Sequence, residues 1–242
     1  MTTAQLAVVA AAVFSASLIQ VLSGFGFSLL SVPLMTLAVP TKEAVVVSTL
    51  MGVGVTTWQA WHGRREVDRV LAKRMVLAAY LGMPLGLWAF IAVDEAVLRL
   101  SLGVSVLVAV VLLVTRIDLR TSGPALDLGA GFVSGVLNTS LSTNGPPLVF
   151  ALQARGLEPD PFRSTINTVF ACCNVVGISL FLAAGRVDAD SVRAALIAVP
   201  ALLAGQFCGY PLRKYVRGDR FRVLVLVLLV IAGFSAIINA LR

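Results

Sequence analysis

Residues 142–147 read Ser142-Thr143-Asn144-Gly145-Pro146-Pro147 and interrupt an otherwise apolar run that extends from 125 to 156. Asn144 and Gly145 are poor helix-interior residues. Each proline lacks a backbone N–H and holds φ near the value of a first helical turn, so the hexad reads as the end of one helix and the start of another. A second long run, 4–39, carries a comparable interruption at Ser23-Gly24-Phe25-Gly26, where two glycines free the backbone. As one straight helix that run would measure about 54 Å at 1.5 Å per residue, well beyond a hydrocarbon core of about 30 Å. It must break, tilt strongly or turn back.

Six further apolar runs surround these two, at 44–62, 71–92, 97–114, 164–184, 190–210 and 221–240. The 242-residue chain is 58% hydrophobic and only 13% charged, with a mean hydropathy of +0.94. A soluble domain of this length needs far more polar surface, so lipid is the expected solvent and an all-α integral membrane protein the expected class. The net charge of +7 lies in short clusters between runs and forms no basic face interleaved with aromatics. It reads as topogenic charge, and no nucleic acid partner is expected. Met1 to Ala12 holds no Lys or Arg, so the first run is read as mature structure and not as a signal peptide. Cys172, Cys173 and Cys208 lie within apolar runs without metal-ligand spacing, and no metal or cofactor is expected. His62 and Trp58, Trp61 and Trp88 read as interfacial anchors.

The two halves correspond. Gly82, Gly86, Val93 and Arg99 are matched by Gly205, Gly209, Val216 and Arg222, each 123 positions later (205 − 82, and likewise for the others). Ser48-Thr49 is answered by Asn167-Thr168, and Gly63-Arg64 by Gly185-Arg186. An internal repeat follows, with halves 1–120 and 121–242 in one integrated membrane domain. The paired Gly-x-x-x-Gly motifs are expected to serve close helix packing.

Loop charge orients the halves. From His62 to Arg74 five basic residues face Glu66 and Asp68, a balance of +3 that favours the cytoplasm, whereas Gly185 to Arg193 balances to zero. One loop later the asymmetry reverses, with +4 over Pro211 to Arg222 and −1 over Val93 to Arg99. Equivalent loops on opposite sides mean inverted repeats. Inversion needs an odd number of crossings per half, yet each half shows four runs. One run per half must then enter and leave on the same side, and the broken runs are the candidates. The expected fold is two inverted repeats, each a re-entrant broken segment plus three transmembrane helices, with 4–39 entering from outside, 125–156 from the cytoplasm, and both tips near the midplane.

Irregular backbone at membrane depth persists only where it is buried in protein or lines a wet cavity. The breaks are therefore the expected binding site, formed by Ser23, Gly24, Phe25, Gly26 and Phe27 in the first half and by Ser142, Thr143, Asn144, Gly145, Pro146 and Pro147 in the second. Helices restarting there aim N–H groups and positive dipole ends inward, which suits a small anion. Gln20, Ser48, Thr49, Asn138, Asn167 and Thr168 are candidate cavity-lining residues. Helix packing alone is the competing reading for every one of these positions. No Asp or Glu reads as deep within a span, the nearest being Glu43, Asp94 and Glu95, so no carboxylate proton relay is expected.

Leu22 to Leu34 (Leu-Ser-Gly-Phe-Gly-Phe-Ser-Leu-Leu-Ser-Val-Pro-Leu), Gly131-Phe-Val-Ser-Gly135 and Asn144-Gly-Pro-Pro-Leu148 resemble the motifs of the TauE/SafE family of membrane permeases, over nearly the whole chain. The resemblance implies export of sulfite, sulfoacetate or another organosulfonate across a bacterial inner membrane, by a multi-pass protein. It also implies that Gly24, Phe25, Gly26, Asn144, Gly145, Pro146 and Pro147 contact substrate or line the pore. Phe27 stands where another glycine is frequent, which would narrow the cavity or change the anion accommodated. Two alternatives remain open: a channel-like anion conductor, and a membrane lipid-pyrophosphate phosphatase. The second would need an acid–base pair that Ser23, Ser140 and Ser142 lack, and no catalytic residue is assigned. The expected partners are the anionic substrate, the bilayer and, as an open option, a second copy in a homodimer.

Overall fold

A computed structural model describes residues 1–114, 123–212 and 219–240. All regular structure among them is helical: α1 (Thr3–Ser23), α2 (Phe27–Met35), α3 (Thr41–Gly63), α4 (Arg69–Ala92), α5 (Glu95–Val114), α6 (Pro124–Leu141), α7 (Gly145–Ala154), α8 (Pro159–Ala183), α9 (Ala189–Leu212) and α10 (Asp219–Ala240). The positive loop expected at 211–222, like the 120/121 repeat boundary, falls mainly outside the described residues. Among the described residues, five helices, α1, α4, α5, α8 and α9, are long and apolar enough to cross a membrane. The less apolar α3 is the inner helix, with ten consecutive and near-consecutive positions between Ala44 and Thr56 buried against its neighbours. The chain is an all-α integral membrane protein.

Local chemistry accounts for the helix limits. Thr2 and Gln5 form a reciprocal capping box at the start of α1, and the Asp68 carboxylate accepts from the Val70 and Leu71 N–H groups at the start of α4. Gly24 ends α1 in the left-handed region at φ 88°, and Ser142 ends α6 there at φ 56°. Pro146 and Pro147 sit in the first turn of α7, as their geometry demands.

Both broken runs fold back on themselves. The Gln5 Nε2 near the start of α1 donates to the Ala38 carbonyl just past α2 at 2.9 Å. Arg155, just past α7, donates from Nε and Nη2 to Asp127 in the first turn of α6 at 3.1 and 2.8 Å, and from Nη2 to the Gly123 carbonyl at 2.9 Å. Each pair is a hairpin whose ends meet at one level. The break is not central: α1 has 21 residues against nine in α2, and α6 has 18 against ten in α7.

Helix packing runs in matched directions. Gly82 and Gly86 of α4 close on the α6 backbone at Phe132 and Val136, with the two helices parallel. Gly205 and Gly209 of α9 close in the same way on α1 at Phe14, Leu18 and Val21, again parallel. A methyl group at Gly82, Gly86 or Gly205 would meet a backbone carbonyl of the facing helix, so these motifs serve packing. By contrast α3 crosses α8 antiparallel, with Gly63 against Ser164 and Gly52 against Asn174, and α5 meets α10 antiparallel through Gly103 and Gly233. Trp58, Trp61 and Trp88 are 57%, 64% and 67% exposed on the outer surface, where an interfacial ring belongs.

Two sequence expectations need correction. Lys and Arg do not all lie in loops: Arg74, Arg99 and Arg163 are helical, and α8 starts at Pro159, five residues before its apolar run, because Pro159 suits a first turn. Nor is the carboxylate survey complete, since Asp127 is fully buried in the first turn of α6 between Arg155 and Arg74, whose Nη1 lies at 3.3 Å.

Candidate functional site

The first break is stabilised from both sides. The Ser23 hydroxyl lies 2.8 Å from the Ile19 carbonyl and 2.6 Å from that of Phe25. The Gly24 N–H donates to the Gln20 carbonyl at 2.7 Å. From α8, Asn167 Nδ2 donates to the Gly24 carbonyl at 3.2 Å and to the Arg163 carbonyl of its own helix at 2.8 Å. The Arg163 side chain lies directly across Gly24, where a methyl group would come within 2.6 Å of its Cγ. With φ at 88° as well, residue 24 is restricted to glycine twice over.

A cleft of about 330 Å³ opens at this break, with Gln20, Gly24, Gln59, His62, Arg163 and Asn167 in its wall and Glu66, Asp160 and Tyr210 around it. Arg163 borders both the break and the cleft, and Asp160 faces it at 3.9 Å with a side chain 74% exposed. Gln20 Nε2 donates to Gln59 Oε1 at 3.3 Å, while Gln20 Oε1 and Asn167 Oδ1 are buried and have no partner among the described residues. Phe25 stands edge-on to Phe162, with centroids 6.4 Å apart.

The second break is more enclosed. Ser142, Thr143, Asn144, Gly145 and Pro146 are all buried. Thr49 of α3 donates to the Ser142 hydroxyl at 3.2 Å, Ser134 to the Asn144 carbonyl at 2.9 Å, and the Ser105 and Thr143 hydroxyls lie 3.5 Å apart. Below them a polar chain runs from Asn138 through Asn174 to Thr56, at 3.1 and 3.4 Å. Asn144 Nδ2 has no partner among the described residues. Because Pro146 and Pro147 have no N–H, the α7 terminus offers fewer backbone donors than the α2 terminus after Gly26. The same prolines border an apolar groove of about 700 Å³ between α5 and α6.

A tie from the other half thus reaches each break: Asn167 of α8 to the first, Thr49 of α3 to the second. The two do not share a level. Along α3 the first lies beside Gln59 and the second beside Thr49, which at 1.5 Å per residue separates them by about 15 Å. Ser48 pairs with Ser31 of α2 at 3.0 Å. Thr168 turns away and joins Thr57, Trp61 and Arg64 around a separate surface pocket. Phe27 is 3% exposed in the core and takes no part in the cleft wall.

Sequence reasoning missed Arg163 and Gln59. The signal for Arg163 was its spacing: four residues before Asn167 on one helix, the two share a face.

The family model described as Sulfite exporter TauE/SafE matches residues 9–236. A protein of Comamonas testosteroni described as "Probable inner membrane transporter protein TsaS" is 31% identical over 108 residues, which are 44% of this chain and 45% of that protein. The match therefore spans less than half of the relative's length. No solved structure matches.

Proposed function

Because the chain belongs to the sulfite exporter TauE/SafE family, we propose that it is a multi-pass transporter of a bacterial inner membrane that exports a small sulfur oxyanion, either sulfite or an organosulfonate such as sulfoacetate. The inner-membrane placement draws on the description of the Comamonas relative. The family is one of transporters, and the serines at the breaks bond to backbone carbonyls and neighbouring hydroxyls, which fits ligand or structural roles better than nucleophilic ones.

The observation that carries this reading is the break at Gly24, which is covered by the Arg163 side chain and open to a cleft at the His62 end of α3. Positive loop charge between His62 and Arg74 favours the cytoplasm for that end, which supports a cleft facing the compartment from which an exporter loads. Gly24, with Gln20, Arg163 and Asn167, forms the loading station, and Ser23, Phe25 and Gly26 shape the backbone that presents it. Ser142, Thr143, Asn144, Gly145, Pro146 and Pro147, with Thr49, form a second station about 15 Å further along α3. Inverted halves 1–120 and 121–242 support a rocking exchange between them. The parallel α1/α9 and α4/α6 pairs and the antiparallel α3/α8 and α5/α10 pairs are the directions such an inversion requires. A monovalent anion leaving a negative interior gains about 2.3 kcal/mol per 100 mV, so membrane potential can drive the export.

Counterflow in proteoliposomes tests the reading. Saturable exchange of sulfite or sulfoacetate, weakened at least tenfold in Arg163→Gln and in Asn144→Ala, is the expected result. Flux no higher than in empty vesicles would overturn it, and flux that rises linearly without saturation would favour the channel alternative.

A further inference from the structure

The wall of the loading cleft carries more than a cation. Gln20 is 1% exposed and Asn167 4% exposed, and both lie in that wall. Their side-chain oxygens, Gln20 Oε1 and Asn167 Oδ1, accept nothing from the described residues. A buried amide oxygen without a donor is costly, and such atoms usually have a water or ligand as partner. The Asn167 orientation is secured by its Nδ2, which donates to two carbonyls, so the amide cannot be reversed without losing both bonds. The unpaired atom at that position is therefore an acceptor. Gln20, also in the cleft wall, donates its Nε2 to Gln59 Oε1 at 3.3 Å, which leaves its oxygen as the atom without a donor among the described residues.

One wall thus places a guanidinium beside two acceptor oxygens that need hydrogen. A simple oxyanion satisfies the guanidinium and leaves both oxygens unpaired. Resting on the reading of this cleft as the loading station, we propose that it selects an oxyanion that also carries a hydrogen-bond donor, such as a hydroxyl, an ammonium or an acid proton. The oxyanion displaces the exposed Asp160 carboxylate from Arg163, and the donor end serves Gln20 Oε1 and Asn167 Oδ1. Fixed polar groups discriminate strongly against an analogue that lacks their partner, because binding that analogue leaves them unpaired.

Two probes differ only in the donor: 2-hydroxyethanesulfonate and ethanesulfonate. Binding to the full-length protein in lipid nanodiscs is measured by thermal shift and titration, with Arg163→Gln and Gln20→Leu alongside. The hydroxylated probe is expected to bind roughly tenfold more tightly than ethanesulfonate. Gln20→Leu should reduce that preference to about twofold, while Arg163→Gln should weaken both probes. Melting temperature without ligand shows whether each variant is folded, and Gln20→Met replaces Gln20→Leu if the latter is not. Equal affinity for the two probes, with both lost in Arg163→Gln, overturns the donor requirement and leaves the anion station standing. Binding of neither probe overturns both. Stabilisation by sodium over choline without sulfonate, abolished in Gln20→Leu, would assign the oxygens to a cation and also overturn the proposal.

Discussion

At residue scale the first break turns on two glycines that look alike in the sequence and differ in their surroundings. Both are left-handed, Gly24 at φ 88° and Gly26 at φ 95°, but a methyl group at 24 meets the Arg163 side chain whereas one at 26 meets nothing within 4 Å. Alanine in the left-handed region costs about 1–2 kcal/mol. Gly26→Ala should show that cost alone, as a modest fall in melting temperature with sulfonate affinity within about twofold of the parent. Gly24→Ala should carry the same backbone cost, displace Arg163 and weaken sulfonate binding at least tenfold. Equal affinities in the two variants would detach Arg163 from the site. Arg163 itself was hidden because an arginine near the end of an apolar run reads as a loop charge. Only the helical start at Pro159 brings it onto the same face as Asn167.

At the scale of elements, helix contacts replace hydrophobic drive, since helix surfaces gain little by leaving lipid for one another. Close approach then depends on small residues. Gly86→Leu would drive a side chain into the Val136 carbonyl and the Thr139 hydroxyl of α6, whereas Gly54, with nothing within 4 Å of an added Cβ, faces open space. Gly86→Leu is expected to abolish a monodisperse folded peak in detergent, by separating α4 from α6. Gly54→Leu should elute and melt like the parent. The motif spacing at 82/86 and 205/209 was legible in the sequence, and so was its packing role. Which helix each motif meets was not, because partners on α6 and α1 are set by the route of the chain through space. The hairpins were legible as breaks and as a parity argument. Their unequal arms were not, since the apolar pattern is continuous on both sides of each break.

For the whole molecule, the proposed inverted arrangement makes a prediction about sidedness. Single cysteines at Lys42, Arg186 and Val93 should react with an impermeant reagent from outside, and those at His62 and Glu158 only from the cytoplasm. Lys42 and His62 on the same side would sink the inversion. The three native cysteines, free of disulfides, are to be replaced by serine or alanine beforehand. The proposed two-station route belongs to this scale too, because each break is tied by a helix from the opposite half of the chain, Asn167 on α8 and Thr49 on α3. A relative movement of the halves must then alter both stations together.

Hydrophobicity, break residues and repeat spacing are local or periodic properties of the chain, and they were enough to determine an α-helical membrane protein with two helix breaks. They could also point to Ser23 through Gly26 and Ser142 through Pro147 as the irregular backbone a membrane tolerates only in protected places. What the tertiary structure alone decided was the level of each break along α3, the Arg163 side chain across Gly24, the burial of Asp127 between two arginines and the Gln20 and Asn167 oxygens left without a donor among the described residues. Each of these depends on residues far apart in the chain, such as Gly24 and Arg163, meeting across a helix interface. No periodicity along one strand of sequence encodes that meeting. It is settled by which helix faces pack together.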